Sequence, residues 1–137
     1  RVDALHSLDS SALWRKIRDV APYVSDERSV WRVSVPPRGG IVLAAMVERL
    51  QGASVYFDWG GGLAWIAAPD VAGAGADVIR RTVAEAGGGH ATLIRAQDET
   101  RRTVACFQPE SDAIVTLSAR IKRAFDPEGI LNPGRMT

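Results

Sequence analysis

Between residues 29 and 96 the apolar period switches between two and about 3.6 in a fixed order, and that order admits few folds. Trp31, Val33 and Val35 alternate with Val30, Arg32 and Ser34 before Pro36-Pro37, which predicts a strand. Leu43, Met46, Val47 and Leu50 then recur at helical spacing until Gly52 stops them. Val55, Phe57 and Trp59 alternate with Ser54, Tyr56 and Asp58, three glycines follow, and Leu63, Trp65 and Ala67 alternate again, the pattern of a hairpin. Ala76, Ile79 and Val83 mark a second helix over 74–86, closed by Gly87-Gly88-Gly89, and 91–96 return to a strand. Strand, helix, strand, strand, helix, strand is the split βαβ order. The fold class is therefore α+β and ferredoxin-like, an antiparallel sheet with both helices on one face.

Helices flank this unit at both ends. Ser10 and Ser11 are placed to cap the first, which carries Leu13, Trp14, Ile17 and Val20 and closes at Pro22. Residues 97–110 read as a charged loop followed by a short further strand in the apolar run Val104 to Phe107. Ser111 or Asp112 caps the last helix, with Ile114, Leu117, Ile121 and Phe125 as its buried stripe and Arg120, Lys122 and Arg123 at the end that favours cations. Asp126-Pro127-Glu128-Gly129 then suits a type I turn, and Asn132-Pro133-Gly134 a type II turn.

A chain of 137 residues forms one domain and buries a core without covalent help. A net charge of +1 gives it no bulk attraction for nucleic acid or anionic lipid. Cys106 is the only cysteine, which excludes an internal disulfide and multi-cysteine metal sites and points to a reducing, cytoplasmic compartment. The longest apolar stretch, 39–47, is too short to span a bilayer. A first residue of Arg1 suggests a piece of a longer protein.

A sheet with helices on one face leaves the polar parity of its strands, Arg32, Ser34, Tyr56 and Asp58, on the open side. Arg32 has the planar fork that grips a carboxylate, and Tyr56 the hydroxyl that orients a substrate oxygen; the plainer alternative is solvated strand residues or an Arg-Asp pair. His90, after the glycine run, is a candidate proton acceptor. With no carboxylate at ligand spacing beside it, no metal site is expected. Gly73-Ala74-Gly75 lacks the remaining features of a dinucleotide fingerprint. Trp14, Trp31, Trp59 and Trp65 are expected in the core or at an interface, three of them on the apolar strand parity, and Cys106 is expected as a small buried hydrophobe.

The closing run, Asp126-Pro127-Glu128-Gly129-Ile130-Leu131-Asn132-Pro133-Gly134, resembles the end of FAD-linked oxidases and dehydrogenases of the vanillyl-alcohol oxidase type. Asp58 to Trp65, Gly88 to Arg95 and Val30 to Pro36 make the chain similar, within that family, to FAD-binding subunits of glycolate oxidases. The resemblance implies a cap-like C-terminal domain spanning 1–137, with the FAD-binding domain outside this chain. It implies that Asn132, Pro133 and Gly134 lie near the flavin, and that a small 2-hydroxy acid, glycolate, is oxidised by hydride transfer to FAD. It also implies a second flavin subunit and an iron-sulfur subunit as partners, with membrane association only through that complex. The histidine-rich metal motif of related D-2-hydroxyacid dehydrogenases is missing. The rival readings are a free-standing ligand-binding or regulatory module, and an assembly domain that docks a partner through its open sheet.

Overall fold

The computed structural model describes residues 4, 6–69 and 73–133. Helix α1 (Ser7–Arg18) and a 3-10 turn (Ala21–Tyr23) lead into strand β1 (Ser29–Ser34). Helix α2 (Gly40–Arg49), strands β2 (Ser54–Asp58) and β3 (Leu63–Ala68), helix α3 (Ala76–Glu85) and strand β4 (His90–Arg95) complete the split βαβ unit. Helices α4 (Asp98–Thr103) and α5 (Asp112–Phe125) follow. The sheet is antiparallel, as expected of the split βαβ order, and its strands run β2-β3-β1-β4.

The core lies between the sheet and α2 and α3. Trp31, Val33, Ala64, Ile66, Ala91 and Leu93 point down from the strands onto Leu43, Val47, Ile79 and Val83. Burying each of the larger aliphatic side chains stabilises the fold by roughly 1.5–3 kcal/mol. Trp31 is wholly enclosed, and its indole Nε1 donates to the Ala74 carbonyl at 3.0 Å, which ties β1 to the turn before α3. The Arg80 guanidinium lies 5.5 Å from the Trp31 ring and donates to the Ala105 and Phe107 carbonyls, so one cation joins α3 to the segment after α4. Burial lowers the Arg80 pKa from its ordinary value. A Cβ on Gly40 would stand 2.8 Å from the Gly61 carbonyl oxygen, so α2 can begin against the hairpin only as glycine.

Several expectations need correction. Helix α1 starts at Ser7 with His6 at its N-cap and no side-chain cap, so Ser10 and Ser11 lie inside it, and Trp14 is exposed. On β3 the helix side takes Ala64, Ile66 and Ala68, which puts Trp65 on the opposite face from Trp31. Trp59 has left the strand: Asp58 accepts its backbone N–H at 2.7 Å, its φ is 52°, and its ring is exposed. The charged part of 97–110 is helix α4, and 104–107 form no strand, although the Cys106 carbonyl accepts the Leu93 N–H at 2.8 Å. Cys106 itself is half-buried, outside the core. The largest departure is α5, none of whose residues is buried.

Candidate functional site on the open sheet face

Antiparallel register sorts the second face of the sheet into three rows. Ser54, Ala67, Val30 and Arg95 form one; Tyr56, Trp65, Arg32 and Thr92 the next; Asp58, Leu63, Ser34 and His90 the last. The first row is roofed. Val20 and Tyr23 pack on Val30, Ala67, Tyr56 and Trp65 as a second, smaller core. Two arginines hold this roof. Arg28 pairs with Asp26 and donates to the Ser54 hydroxyl at 3.1 Å, and Arg95 donates to the carbonyls of Tyr23, Val24 and Asp26. Hydrogen bonding from Arg28 pushes the Asp26 carboxyl down to about 2.

The roof decides which of the expected groups face solvent. Tyr56 donates its hydroxyl to the Ile17 carbonyl at 3.2 Å, and its ring lies 5.6 Å from that of Tyr23. Burial pushes the Tyr56 phenol up to about 12, with Tyr23 and Asp58 adding to the rise. Its hydroxyl proton thus serves the fold. Asp58 uses one oxygen on Trp59 and stands two strands from Arg32 in the next row, so the two are not cross-strand partners.

Arg32, Ser34, His90 and Thr92 remain as a polar quartet on the adjoining strands β1 and β4. Arg32 is directly opposite Thr92, and Ser34 opposite His90. Arg32 is half-buried and its guanidinium has no hydrogen bond or ion pair to the described residues; His90 is exposed. Gly89 lets β4 enter here, since at φ 138° a Cβ would collide with the Ser34 carbonyl oxygen. Beside the quartet lies an open hollow of about 290 Å³ lined by His90, Thr92, Phe107, Gln108 and Glu110. Gln108 accepts the Ala91 N–H through Oε1 at 3.3 Å, which leaves its amide N–H₂ free to donate. Sequence reasoning passed over Gln108 and Glu110; the signal was the polar Gln-Pro-Glu closing an apolar run.

The expected cofactor-binding residues sit elsewhere. After α5 the Asp126 carboxylate takes Lys122 Nζ at 2.6 Å and the N–H groups of Ile130 and Leu131 at 2.9 and 3.1 Å. The Gly129 N–H returns to the Asp126 carbonyl, closing the expected turn. Asn132 has a φ of 47°, a left-handed conformation that asparagine tolerates better than most residues. Pro133 follows it, and Gly134 lies outside the described residues. No hydrogen bond among the described residues ties 126–133 to the sheet. Among them, also, no group of three or more His, Cys, Asp or Glu side chains is arranged to hold a metal, and no helix is long and apolar enough to cross a membrane.

The hollow by His90 and a second of about 560 Å³ between Ile41, Phe57 and Gly60 are both open, and the polar quartet offers one edge of contact without walls. The quartet sets one guanidinium, one imidazole and two hydroxyls on adjoining strands.

Comparison with known proteins adds to this geometry. Residues 106–136 match the family described as FAD linked oxidases, C-terminal domain, and these are α5 and its surroundings. Over 124 residues the chain is 33% identical to the glycolate oxidase subunit GlcE of Escherichia coli (strain K12). That match covers 90% of this chain and 30% of the relative. No solved structure matches.

Proposed function

We propose, on the premise that this chain is a relative of the FAD-linked oxidases, that it is the cap-like part of a flavoprotein subunit that oxidises a small 2-hydroxy acid, with glycolate the leading substrate. One observation carries the reading. The segment that matches the family forms a helix whose Ile114, Leu117 and Ile121 are 45%, 51% and 51% exposed, although their spacing is that of a buried stripe. A helix shaped this way is completed by another surface. In our reading that surface is a flavin-binding domain elsewhere in the polypeptide, and Asn132, Pro133 and Gly134 come near the cofactor there.

Each residue of the quartet then has a task. The Arg32 fork holds the substrate carboxylate in two parallel hydrogen bonds and fixes the α-carbon. The hydroxyls of Ser34 and Thr92 flank that carboxylate. His90 accepts the proton of the α-hydroxyl as the α-hydrogen departs with its electron pair, leaving the 2-oxo acid. The flavin supplies the two-electron acceptor. Tyr56 and Trp65 back Arg32 from the roofed side of its row. A second flavin subunit and an iron-sulfur subunit are the proposed partners for passing the electrons on, in the cytoplasm.

The test uses the complete polypeptide with its partner subunits. Arg32→Ala is expected to lower kcat/KM for glycolate by roughly 10- to 100-fold, the scale of a charge-assisted hydrogen-bond pair, with flavin content unchanged. Turnover equal to the parent would remove Arg32, and with it the carboxylate site, from the proposal.

A further inference from the structure

The outer edge of the sheet has no cover. β2 is an edge strand, and among the described residues no backbone group outside β3 pairs with it. Edge strands are usually protected by lysine, proline or a bulge. Ser54-Val55-Tyr56-Phe57-Asp58 contains neither residue, and its pairing with β3 runs without a register shift. Alongside it stands an apolar shoulder: Phe57 is 37% exposed, Ile41 78% and Trp59 70%.

We propose that this edge pairs with β2 of a second copy of the chain, antiparallel about a two-fold axis through Tyr56. The occupant follows from the sequence of the strand read against itself. Such a pairing places Val55 opposite Phe57 on the helix side, Tyr56 opposite Tyr56, and Ser54 opposite Asp58 on the open side. Among the directly opposed strand residues no like charges meet, and those pairs include apolar with apolar and aromatic with aromatic. Arg28, which pairs with Asp26, also donates to the Ser54 hydroxyl at 3.1 Å, so Asp58 of the second copy comes beside this pair, and among the described residues Asp58 uses one carboxylate oxygen on its own chain. The shoulders formed by Ile41, Phe57 and Trp59 close over each other next to the strand pair. The two sheets merge into one of eight strands, with each Arg32 and His90 on the far side, so the interface leaves the quartet accessible.

The experiment is sedimentation of the complete polypeptide over a concentration series, joined to hydrogen exchange of the β2 amides. The proposal expects a dimer, with the Val55 and Phe57 amides gaining protection as it forms. Phe57→Lys and, separately, Asp58→Arg are each expected to raise the dimer Kd at least about tenfold, because the first buries a charge and the second faces Arg28. Native-like circular dichroism shows that a variant has kept its fold. A monomer throughout the series overturns the proposal. So does a dimer that both folded variants leave intact, or one whose β2 amides exchange as fast as in the monomer, since either means a different surface or a different partner.

Discussion

Asp126 shows how much one residue can decide. Its side chain is nearly buried and collects the Lys122 ammonium and two backbone N–H groups, so a single carboxylate both ends α5 and folds the chain back over 130–131. Lys122 and then the two N–H groups hold its pKa below the ordinary carboxylate value against the opposing effect of burial. A depressed carboxylate pKa makes the turn fully supported above the ordinary carboxylate range and unsupported once pH falls through the lowered value. Asp126→Ala is therefore expected to speed exchange of the Ile130 and Leu131 amides about tenfold or more near neutral pH, the scale of a lost charged hydrogen bond. The parent should show the same loss only in acid, and equal exchange in the two proteins would mean that the turn stands without this side chain. The turn was legible because proline and glycine mark it. The faces of β3 were not: Leu63, Trp65 and Ala67 and their neighbours Ala64 and Ile66 are all apolar, so alternation carried no sign. Packing put Ala64, Ile66 and Ala68 on the helix side and the bulky Trp65 on the other.

At the scale of elements, the contrast lies between α2 and α3, which bury their stripes, and α5, which buries nothing. The period of α5 was readable in the sequence, but a period says that a face is apolar and leaves open what covers it. If Leu117 and Ile121 stay exposed in the complete polypeptide, replacing either with lysine changes stability by less than about 0.5 kcal/mol. If they seat against a flavin-binding domain, each replacement costs about 2 kcal/mol or more from lost burial alone. We expect the larger cost for both, together with loss of flavin, measured by urea unfolding and flavin absorbance of the complete polypeptide. The smaller cost with full flavin content would leave the stripe without a partner in that protein. The boundary of α1 was misread for a different reason. Serines at helical positions look like caps, and the helix began earlier, where no side chain caps it.

Over the whole molecule the two faces of the sheet have different owners: one is closed by α2 and α3, the other is half roofed by α1 and the turn after it. Tyr56 and Arg32 share the middle row, but the roof reaches the Tyr56 end, where the hydroxyl bonds to the Ile17 carbonyl, and leaves the Arg32 side chain without a partner among the described residues; the sequence alone hid this, because the roof is held in part from far along the chain. Arg95 reaches back some seventy residues to the carbonyls of Tyr23, Val24 and Asp26, and Arg28 anchors the same segment to Gly52 and Ser54. Tyr56 reports on that closure. Its phenol is held near 12 chiefly by burial, so the neutral form is favoured, and the associated stability is complete below the ordinary tyrosine pKa of about 10 and lost as pH rises toward 12. Arg95→Met removes the bonds to three carbonyls while keeping an apolar stem, which should loosen the roof and let water reach Tyr56. The Tyr56 phenol is then expected to titrate closer to about 10, read as the difference in tyrosinate absorbance between each protein and its Tyr56→Phe version. An unchanged high value in Arg95→Met would show that Arg28 and the apolar packing of Val20 and Tyr23 hold the roof closed without Arg95.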